Sequence, residues 1–177
     1  MKKIYLYIVI GLVAACTPHN KPTRPTTIQQ VDSIYTESKF CLYGDYYNSG
    51  HQVYAIDLLS EGLDYDSTGH IIGTGCNLYL SDIFVPKDST QRLPAGRYEM
   101  DSVAKDMRFL RGMYFDGSVT GAYLLMIQDS QIQRIILLKR GTMTIKYVED
   151  DVFLDFNLYL ADSTRYHCTY TGSVIYR

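Results

Sequence analysis

Residue types that commonly perform chemistry are few in this sequence and lie far apart. No histidine has a cysteine or histidine partner at the spacing of zinc ligands. The histidines are His19, His51, His70 and His167. The chain contains no Gly-x-Ser-x-Gly motif and no obvious pair of catalytic carboxylates, although distant strands could still bring Asp57, Glu99 and Asp155 together. The sequence therefore predicts no metal, no cofactor and no catalytic residue, and it favours a protein that is not an enzyme.

One acidic segment has the beginning of a calcium-binding loop. Asp64, Asp66 and Thr68 alternate along the chain, and closely spaced carboxylates can replace the water shell of a calcium ion. The loop requires a bidentate glutamate at its twelfth position, which is Gly75 in this sequence. The same composition is typical of a hairpin tip, and we expect a turn here.

The setting of Cys16 is the most specific chemical signal in the sequence. Lys2 and Lys3 precede twelve uncharged residues, 4–15, a length that suits a secretory signal and falls short of the ~20 residues of a membrane-spanning helix. Residues 12–16, Leu-Val-Ala-Ala-Cys, resemble the lipobox of bacterial lipoproteins. That resemblance implies cleavage before Cys16, a diacylglyceryl group on its sulfur and an acylated amino terminus. Two or more acyl chains anchor a protein stably to a membrane.

The segment after Cys16 has the composition of a tether. It contains Pro18, Pro22 and Pro25, and residues 17–30 include no aromatic residue that could form a core. We therefore expect a signal peptide at 1–15, a lipidated cysteine with a Pro/Thr-rich linker at 16–39, and a folded domain at 40–177. No acidic cluster follows Cys16, which favours an anchor in the outer membrane that faces the periplasm.

Three further cysteines remain once Cys16 carries lipid. Because Cys41, Cys76 and Cys168 are an odd set, at most one disulfide can form within the chain. A periplasmic location permits one. Terminal strands often meet when a barrel closes, so Cys41 with Cys168 is the predicted pair. The alternative is that Cys168 is a small buried residue.

Aromatic residues offer the best indication of binding. The chain has 17 Tyr, 6 Phe and no Trp. Most tyrosines are expected to pack on a sheet, but Tyr46 and Tyr47, beside Asn48, and Tyr65, near the acidic turn, fall where loops cluster. Tyrosine offers a flat apolar face and a hydroxyl at low entropic cost, which suits sugars or protein partners. Tyr46, Tyr47 and Tyr65 are the predicted ligand contacts.

Alternation of apolar and polar residues predicts the elements that carry these side chains. In residues 153–160 every even position is apolar, whereas Asp155 and Asn157 occupy odd positions. Similar runs, separated by turns rich in Gly, Asp, Asn and Ser, predict about eight or nine strands and no long amphipathic helix. Residues 132–139 and 141–148 are expected as two separate strands. The fold class is all-β, either an antiparallel β-sandwich or an up-and-down, lipocalin-like β-barrel.

The folded region also resembles a group of uncharacterised lipoproteins from Gram-negative gut bacteria. The similar segments are structural in kind; they are Tyr43-Gly44-Asp45, 93–98, 141–145 and 170–172. The resemblance implies a β-fold and brings no known activity. A formal net charge of -2 gives no electrostatic basis for a nucleic-acid partner.

Two functions are compatible with these features. The first is a lipid-anchored, non-enzymatic binding or accessory module of the cell envelope, which recognises a glycan or an envelope protein. The alternative is a lipocalin-like carrier of a small apolar ligand, or a hydrolase. A carrier predicts an open apolar cavity at one barrel mouth, whereas a display module predicts a filled core and exposed aromatic rings on loops.

Overall fold

The computed structural model describes residues 30–89 and 92–176, with side chains from 35 to 89 and from 92 to 175. The predicted signal peptide, Cys16 and the first part of the linker lie outside the described residues. Within the described part, no helix is long and apolar enough to cross a bilayer.

The described residues form β-strands joined by turns, which confirms the all-β prediction. The strands are β1 (Gln30–Gly44), β2 (His51–Ser60), β3 (Leu63–Tyr65), β4 (Ile71–Gly73), β5 (Gly75–Pro86), β6 (Gly96–Asp101), β7 (Arg108–Leu110), β8 (Met113–Phe115), β9 (Ser118–Thr120), β10 (Ala122–Gln128), β11 (Gln131–Val148), β12 (Asp151–Leu160), β13 (Arg165–Gly172) and β14 (Ile175–Tyr176).

The main sheet closes into a barrel. Its order is β10-β11-β12-β13-β1-β2-β5-β7-β6, and two further pairings, β10 with β5 and β11 with β6, complete the closure. The smallest closed ring consists of β5, β7, β6, β11 and β10, and a wider ring runs from β10 through β12 and β1 to β5. Two short hairpins, β3–β4 and β8–β9, stand apart from this sheet.

Most pairings are antiparallel, as predicted, but the barrel is mixed because β1 runs parallel to β13 and β6 runs parallel to β7. The terminal strands of the domain therefore meet in the same direction. β1 begins at Gln30, so residues 30–39 belong to the domain and not to the expected linker. This corrects the predicted boundary at residue 40: the polar composition of the segment concealed a strand whose partners lie far away in the sequence.

The two strands predicted at 132–139 and 141–148 are one continuous strand, β11. Gly141, which suggested a break, lies just beyond a register shift between Leu138 and Arg140 in the pairing of β11 with β12. Its φ is +152°, and a Cβ here would lie 2.5 Å from the Asn157 carbonyl oxygen. Glycine at this irregularity therefore lets the strand bend and continue.

The inside of the barrel is filled by large side chains. Along β12 the inward residues are Val152, Leu154, Phe156 and Leu158, which confirms the alternation seen in the sequence. Large aromatic side chains from five other strands are fully buried in the same core cluster as Phe156; these are Phe40, Tyr54, Tyr98, Phe109 and, at 3% exposure, Tyr166. A core of this kind is packed by side chains, whereas a carrier is expected to leave a cavity inside the barrel.

The predicted disulfide between Cys41 and Cys168 is wrong. Among the described residues neither cysteine forms a disulfide, nor does Cys76. In the parallel register of β1 and β13, Cys168 lies opposite Ser33, so Cys41 is eight residues further along β1. That offset corresponds to about 26 Å of extended strand. Since disulfide Cα atoms lie within about 7 Å of each other, the terminal strands meet in a register that keeps these cysteines apart.

Candidate ligand-binding cleft

A cleft of about 360 Å³ lies on the outer side of the barrel wall. Its floor is Phe84 of β5, whose side chain faces away from the interior core cluster. Three segments rise around that floor: the β1–β2 loop, the β6–β7 loop and the β8–β9 hairpin. The lining residues are Tyr47, Phe84, Ser102, Ala104, Leu110, Phe115, Ser118 and Thr120. This mixture of aromatic, aliphatic and hydroxyl side chains is typical of a small-molecule site.

The β1–β2 loop, which carries Tyr46 and Tyr47, is held by its own hydrogen bonds. The backbone N–H groups of Ser49 and Gly50 donate to the Asp45 carboxylate, at 2.8 Å and 3.1 Å. Asn48 adopts a positive φ of 52°, a conformation that asparagine tolerates better than most residues. The two tyrosines therefore sit on a fixed loop and lose little conformational freedom on binding.

Asp82 fixes the inner edge of the cleft. Its carboxylate accepts hydrogen bonds from the Tyr47 hydroxyl at 2.5 Å, the Ser81 hydroxyl at 2.6 Å and the Thr120 hydroxyl at 2.9 Å. Asp82 has a positive φ of 61° and is only 6% exposed. A buried carboxylate needs such donors, and here they join the β1–β2 loop and the β8–β9 hairpin to the barrel wall. Burial, followed by the bond to Asp82, raises the pKa of Tyr47.

The β8–β9 hairpin presents Phe115 at the outer edge of the cleft. Asp116 and Gly117 both have positive φ, at 46° and 76°, which is the two-residue turn that suits the twist of a tight hairpin. The side chain of Phe115 is 71% exposed. At the base of the hairpin Gly121, with φ +76°, lies against the chain entering it: a Cβ there would lie 2.2 Å from the Arg111 carbonyl oxygen. The hairpin therefore emerges from a tight junction with the barrel.

A second cavity of about 190 Å³ adjoins the first across Tyr47 and Asp82. Tyr43, Tyr46, Val53 and Asp82 line it. The rings of Tyr46 and Tyr47 meet edge to face, with centroids 5.0 Å apart, and Tyr46 is 66% exposed. The two cavities together are lined by aromatic rings, by the Asp82 carboxylate and by the hydroxyls of Ser102, Ser118 and Thr120.

A histidine–aspartate pair flanks the cleft. His51 Nδ1 lies 2.8 Å from Asp106 Oδ1, and its ring packs against Phe84 with centroids 5.9 Å apart. Among the described residues, no hydroxyl or thiol is hydrogen-bonded to His51. The arrangement therefore supplies binding surfaces: flat rings for stacking, and hydroxyl and carboxylate groups for hydrogen bonds.

The structure brings together two of the three predicted contact residues. Tyr46 and Tyr47 lie at the cleft, but Tyr65 lines neither of its two cavities. Tyr65 belongs to the β3–β4 hairpin, where the Nζ of the buried Lys39 lies over its ring. Burial and the neighbouring Asp57 carboxylate raise the pKa of Tyr65. Its position near a hairpin tip was predicted correctly, but that hairpin folds back onto the wall and turns the ring inward.

Sequence reasoning missed the residues that complete the cleft. Asp82 and Phe84 lie in a strand whose alternation predicts only sheet packing, and Thr120 carries no motif. A signal did exist for Phe115: Tyr114 and Phe115 are adjacent aromatic residues directly before an Asp-Gly turn. Neighbouring strand residues point to opposite faces, so both cannot be buried on one side of the same strand.

The acidic segment forms the β3–β4 hairpin. The Asp66 carboxylate accepts hydrogen bonds from the Thr68 hydroxyl at 2.7 Å and from the His70 backbone N–H at 2.9 Å. These bonds, the one from Thr68 first, lower the pKa of Asp66 to about 2. The carboxylate is thus used to close the turn. In the described part of the chain, no group of three or more His, Cys, Asp or Glu residues is arranged to hold a metal ion.

Comparison with known proteins adds no relative: no family model, no curated protein and no solved structure matches the chain.

Proposed function

We propose that this protein is a lipid-anchored binding protein of the bacterial cell envelope, which holds a carbohydrate ligand in the cleft between Tyr47 and Phe115 without chemical conversion. The lipid anchor is attached to Cys16, and the anchored domain faces the periplasm from the outer membrane. The observation that carries the binding proposal is the pair of exposed aromatic rings on fixed supports, Tyr46 on its loop and Phe115 on its hairpin, beside a buried carboxylate.

The anchor rests on agreement among three features of the amino terminus. Lys2 and Lys3 form a positive start, residues 4–15 form an uncharged run of the right length, and residues 12–16 resemble a lipobox. Replacement of Cys16 by alanine is expected to move the protein from the membrane fraction to the soluble periplasmic fraction. A Cys41→Ala variant is the matched control and is expected to stay in the membrane fraction. Retention of the Cys16→Ala protein at the membrane would contradict the anchor.

A carbohydrate suits the chemistry of the cleft. Sugar rings have apolar C–H faces that pack on aromatic rings, and hydroxyl edges that both donate and accept hydrogen bonds. The cleft combines the exposed rings of Tyr47 and Phe115, above a floor of buried Phe84, with the hydroxyls of Ser102, Ser118 and Thr120. Its volume of about 360 Å³ lies within the range of small-ligand sites, and the adjoining cavity of about 190 Å³ would extend the site along a chain of sugars.

The filled barrel interior disfavours the alternative of a lipocalin-like carrier. Such a carrier encloses its ligand inside the barrel, where this protein has Phe40, Tyr98 and Phe156 fully buried. The cleft lies on the outside of the wall and is open to solvent. For a hydrolase, the His51–Asp106 pair would need a nucleophile within hydrogen-bond reach, and the described residues place none there.

The test is a panel of soluble envelope glycans and glycan fragments, measured against the Cys16→Ala protein by calorimetry. We expect at least one glycan to bind, and we expect Phe115→Ala to weaken that binding about tenfold because it removes one stacking ring. Tyr114→Ala is the matched control: it removes an equally exposed ring from the same hairpin that does not line the cleft. No binding across the panel, or equal loss from both variants, would overturn the proposal, and a protein ligand recovered at the cleft would replace the glycan.

A further inference from the structure

A third cavity, with a different chemistry, lies on the outer face of β6, β11 and β12. Its volume is about 420 Å³. The lining residues are Arg97, Arg140, Gly141, Thr142, Asn157 and Tyr159. Both charged side chains in this set are arginines and no carboxylate lines the cavity. Every polar side chain in this set can donate a hydrogen bond, and the two guanidinium groups donate only, in a chain whose overall formal charge is -2.

The arginines are only weakly engaged by protein carboxylates. Arg97 Nε lies 3.9 Å from Glu99 Oε1, which is beyond hydrogen-bond distance, and its side chain is 67% exposed. Glu99 is instead held by a short ion pair with Arg108. Arg140 lies over the ring of Tyr159, with Cζ 4.3 Å from the ring centroid. Stacking of this kind orients a guanidinium and leaves its in-plane N–H groups to bind a ligand.

The floor of the cavity is arranged to donate as well. Arg165 Nη2 donates a short hydrogen bond to Asn157 Oδ1. Because Oδ1 accepts this hydrogen bond, the Nδ2 donor of the Asn157 amide points away from Arg165. The guanidinium of Arg165 places positive charge beside Asn157, and its buried Nε has no hydrogen-bond partner among the described residues. Asn157 is thereby committed to donating to whatever binds beside it.

A glycine of β11 forms part of the cavity wall. Gly141 lies next to the register shift in β11, and it lines the cavity between Arg140 and Thr142. No side chain fits at this position, because an added Cβ would lie 2.5 Å from the Asn157 carbonyl oxygen and 2.8 Å from the Leu158 side chain. The cavity is therefore lined by bare backbone between Arg140 and Thr142.

We propose that this cavity, lined by Arg97, Arg140, Thr142, Asn157 and Tyr159, binds a phosphate group. Arginine forks match the oxygens of phosphate with paired, charge-assisted hydrogen bonds, and two of them on one cavity neutralise a dianion. The hydroxyls of Thr142 and Tyr159 and the amide of Asn157 provide further donors to the remaining oxygens. The group is carried either by free inorganic phosphate or by a phosphorylated sugar. This site is independent of the aromatic cleft and does not rest on the function proposed for it.

Calorimetric titration of the Cys16→Ala protein at low ionic strength tests the proposal, with inorganic phosphate and glucose 6-phosphate as the two probes and glucose as the uncharged control. We expect saturable binding of at least one phosphate probe and none of glucose at the same concentration. Tighter binding of glucose 6-phosphate would assign the site to a sugar phosphate, and tighter binding of inorganic phosphate would assign it to the free ion. Both outcomes support a phosphate site.

The matched variants locate the binding. Arg140→Gln and Arg97→Gln are each expected to weaken phosphate binding about tenfold, since each removes a charge-assisted contact. Arg134→Gln is the control, because Arg134 is an exposed arginine on the same strand that lines a different cavity. Arg97 is exposed, so its replacement leaves folding intact even if Arg140→Gln does not. Absence of saturable binding to either phosphate probe, or an equal loss from Arg134→Gln, would overturn the proposal.

Discussion

Asp82 is the residue on which the geometry of the cleft most depends, and its replacement gives a graded prediction. Asp82→Ala removes the acceptor of three hydroxyls and also places alanine at a φ of 61°. Asp82→Gly removes the same acceptor without the backbone cost, because glycine adopts positive φ freely. Asp82→Asn keeps one oxygen acceptor and a side chain that tolerates this conformation. The three variants thus separate the hydrogen bonds from the backbone strain.

The loss in unfolding free energy depends on which hydrogen-bond partners the three hydroxyl donors keep once the carboxylate is removed. Ser81 Oγ retains a contact of 3.3 Å with the Gly121 carbonyl oxygen, and Tyr47, 48% exposed, can bond to water. The lost hydrogen bonds are therefore worth about 2 kcal/mol in total, below the sum for three bonds to a charged group. Left-handed backbone adds about 1 kcal/mol for alanine. We expect losses in unfolding free energy of about 3 kcal/mol for Asp82→Ala, about 2 for Asp82→Gly and about 1 for Asp82→Asn.

Urea unfolding, monitored by circular dichroism, measures this series. With a denaturant slope of about 2 kcal/mol per molar, Asp82→Ala should lower the midpoint by about 1.5 M at an unchanged slope. The same variant should weaken ligand binding at the cleft, because Tyr47 and the β8–β9 hairpin lose their common anchor. An Asp82→Ala protein within about 0.5 kcal/mol of the wild type, or an Asp82→Gly protein less stable than Asp82→Ala, would refute the reasoning.

Three further predictions concern the buried Asp57 and the cysteines. Burial raises the pKa of Asp57, against the opposing effects of Tyr65, Asn77 and Lys39. The folded state therefore holds the Asp57 proton to a higher pH than the unfolded chain does. The stability gained from protonated Asp57 is lost as pH rises through its folded pKa. Asp57→Asn should therefore gain stability relative to the wild type as pH rises above the ordinary carboxyl range of about 4 in paired urea titrations, and a constant difference would contradict the assigned burial. The Cys16→Ala protein should show three thiols when unfolded, before and after reduction, whereas a single thiol before reduction would restore an internal disulfide. In the folded protein Cys168 should react more slowly than Cys41, because burial leaves it 1% exposed and raises its pKa.

Local alternation was sufficient to predict the fold class and the faces of several strands. In β12 every inward residue follows from the period of two, and in β13 the same holds for Tyr166, Cys168 and Tyr170. Such patterns depend only on which side of a strand meets the core. They carry no information on which strands pair, and the parallel register of β1 and β13 is set by contacts between opposite ends of the chain.

Only part of the candidate site could be predicted from the sequence, for the same reason. Tyr46 and Tyr47 stand in a loop composition that can be recognised locally. Asp82 becomes important only when strand pairing brings the β1–β2 loop and the β8–β9 hairpin to it. In the sequence, Gly141 suggests a break between two strands, because glycine disfavours strand interiors. In the closed barrel it permits an irregularity that keeps β11 continuous. Both outcomes are consequences of tertiary pairing.

The most direct test of the proposed function is a crystal structure of the Cys16→Ala protein bound to the tightest glycan from the panel. We expect a sugar ring packed on Phe115, with its hydroxyls within hydrogen-bond distance of Thr120, Ser118 or Tyr47, and an unchanged, filled barrel interior. A ligand enclosed inside the barrel, or one bound on a surface away from Tyr47 and Phe115, would overturn the proposed carbohydrate cleft.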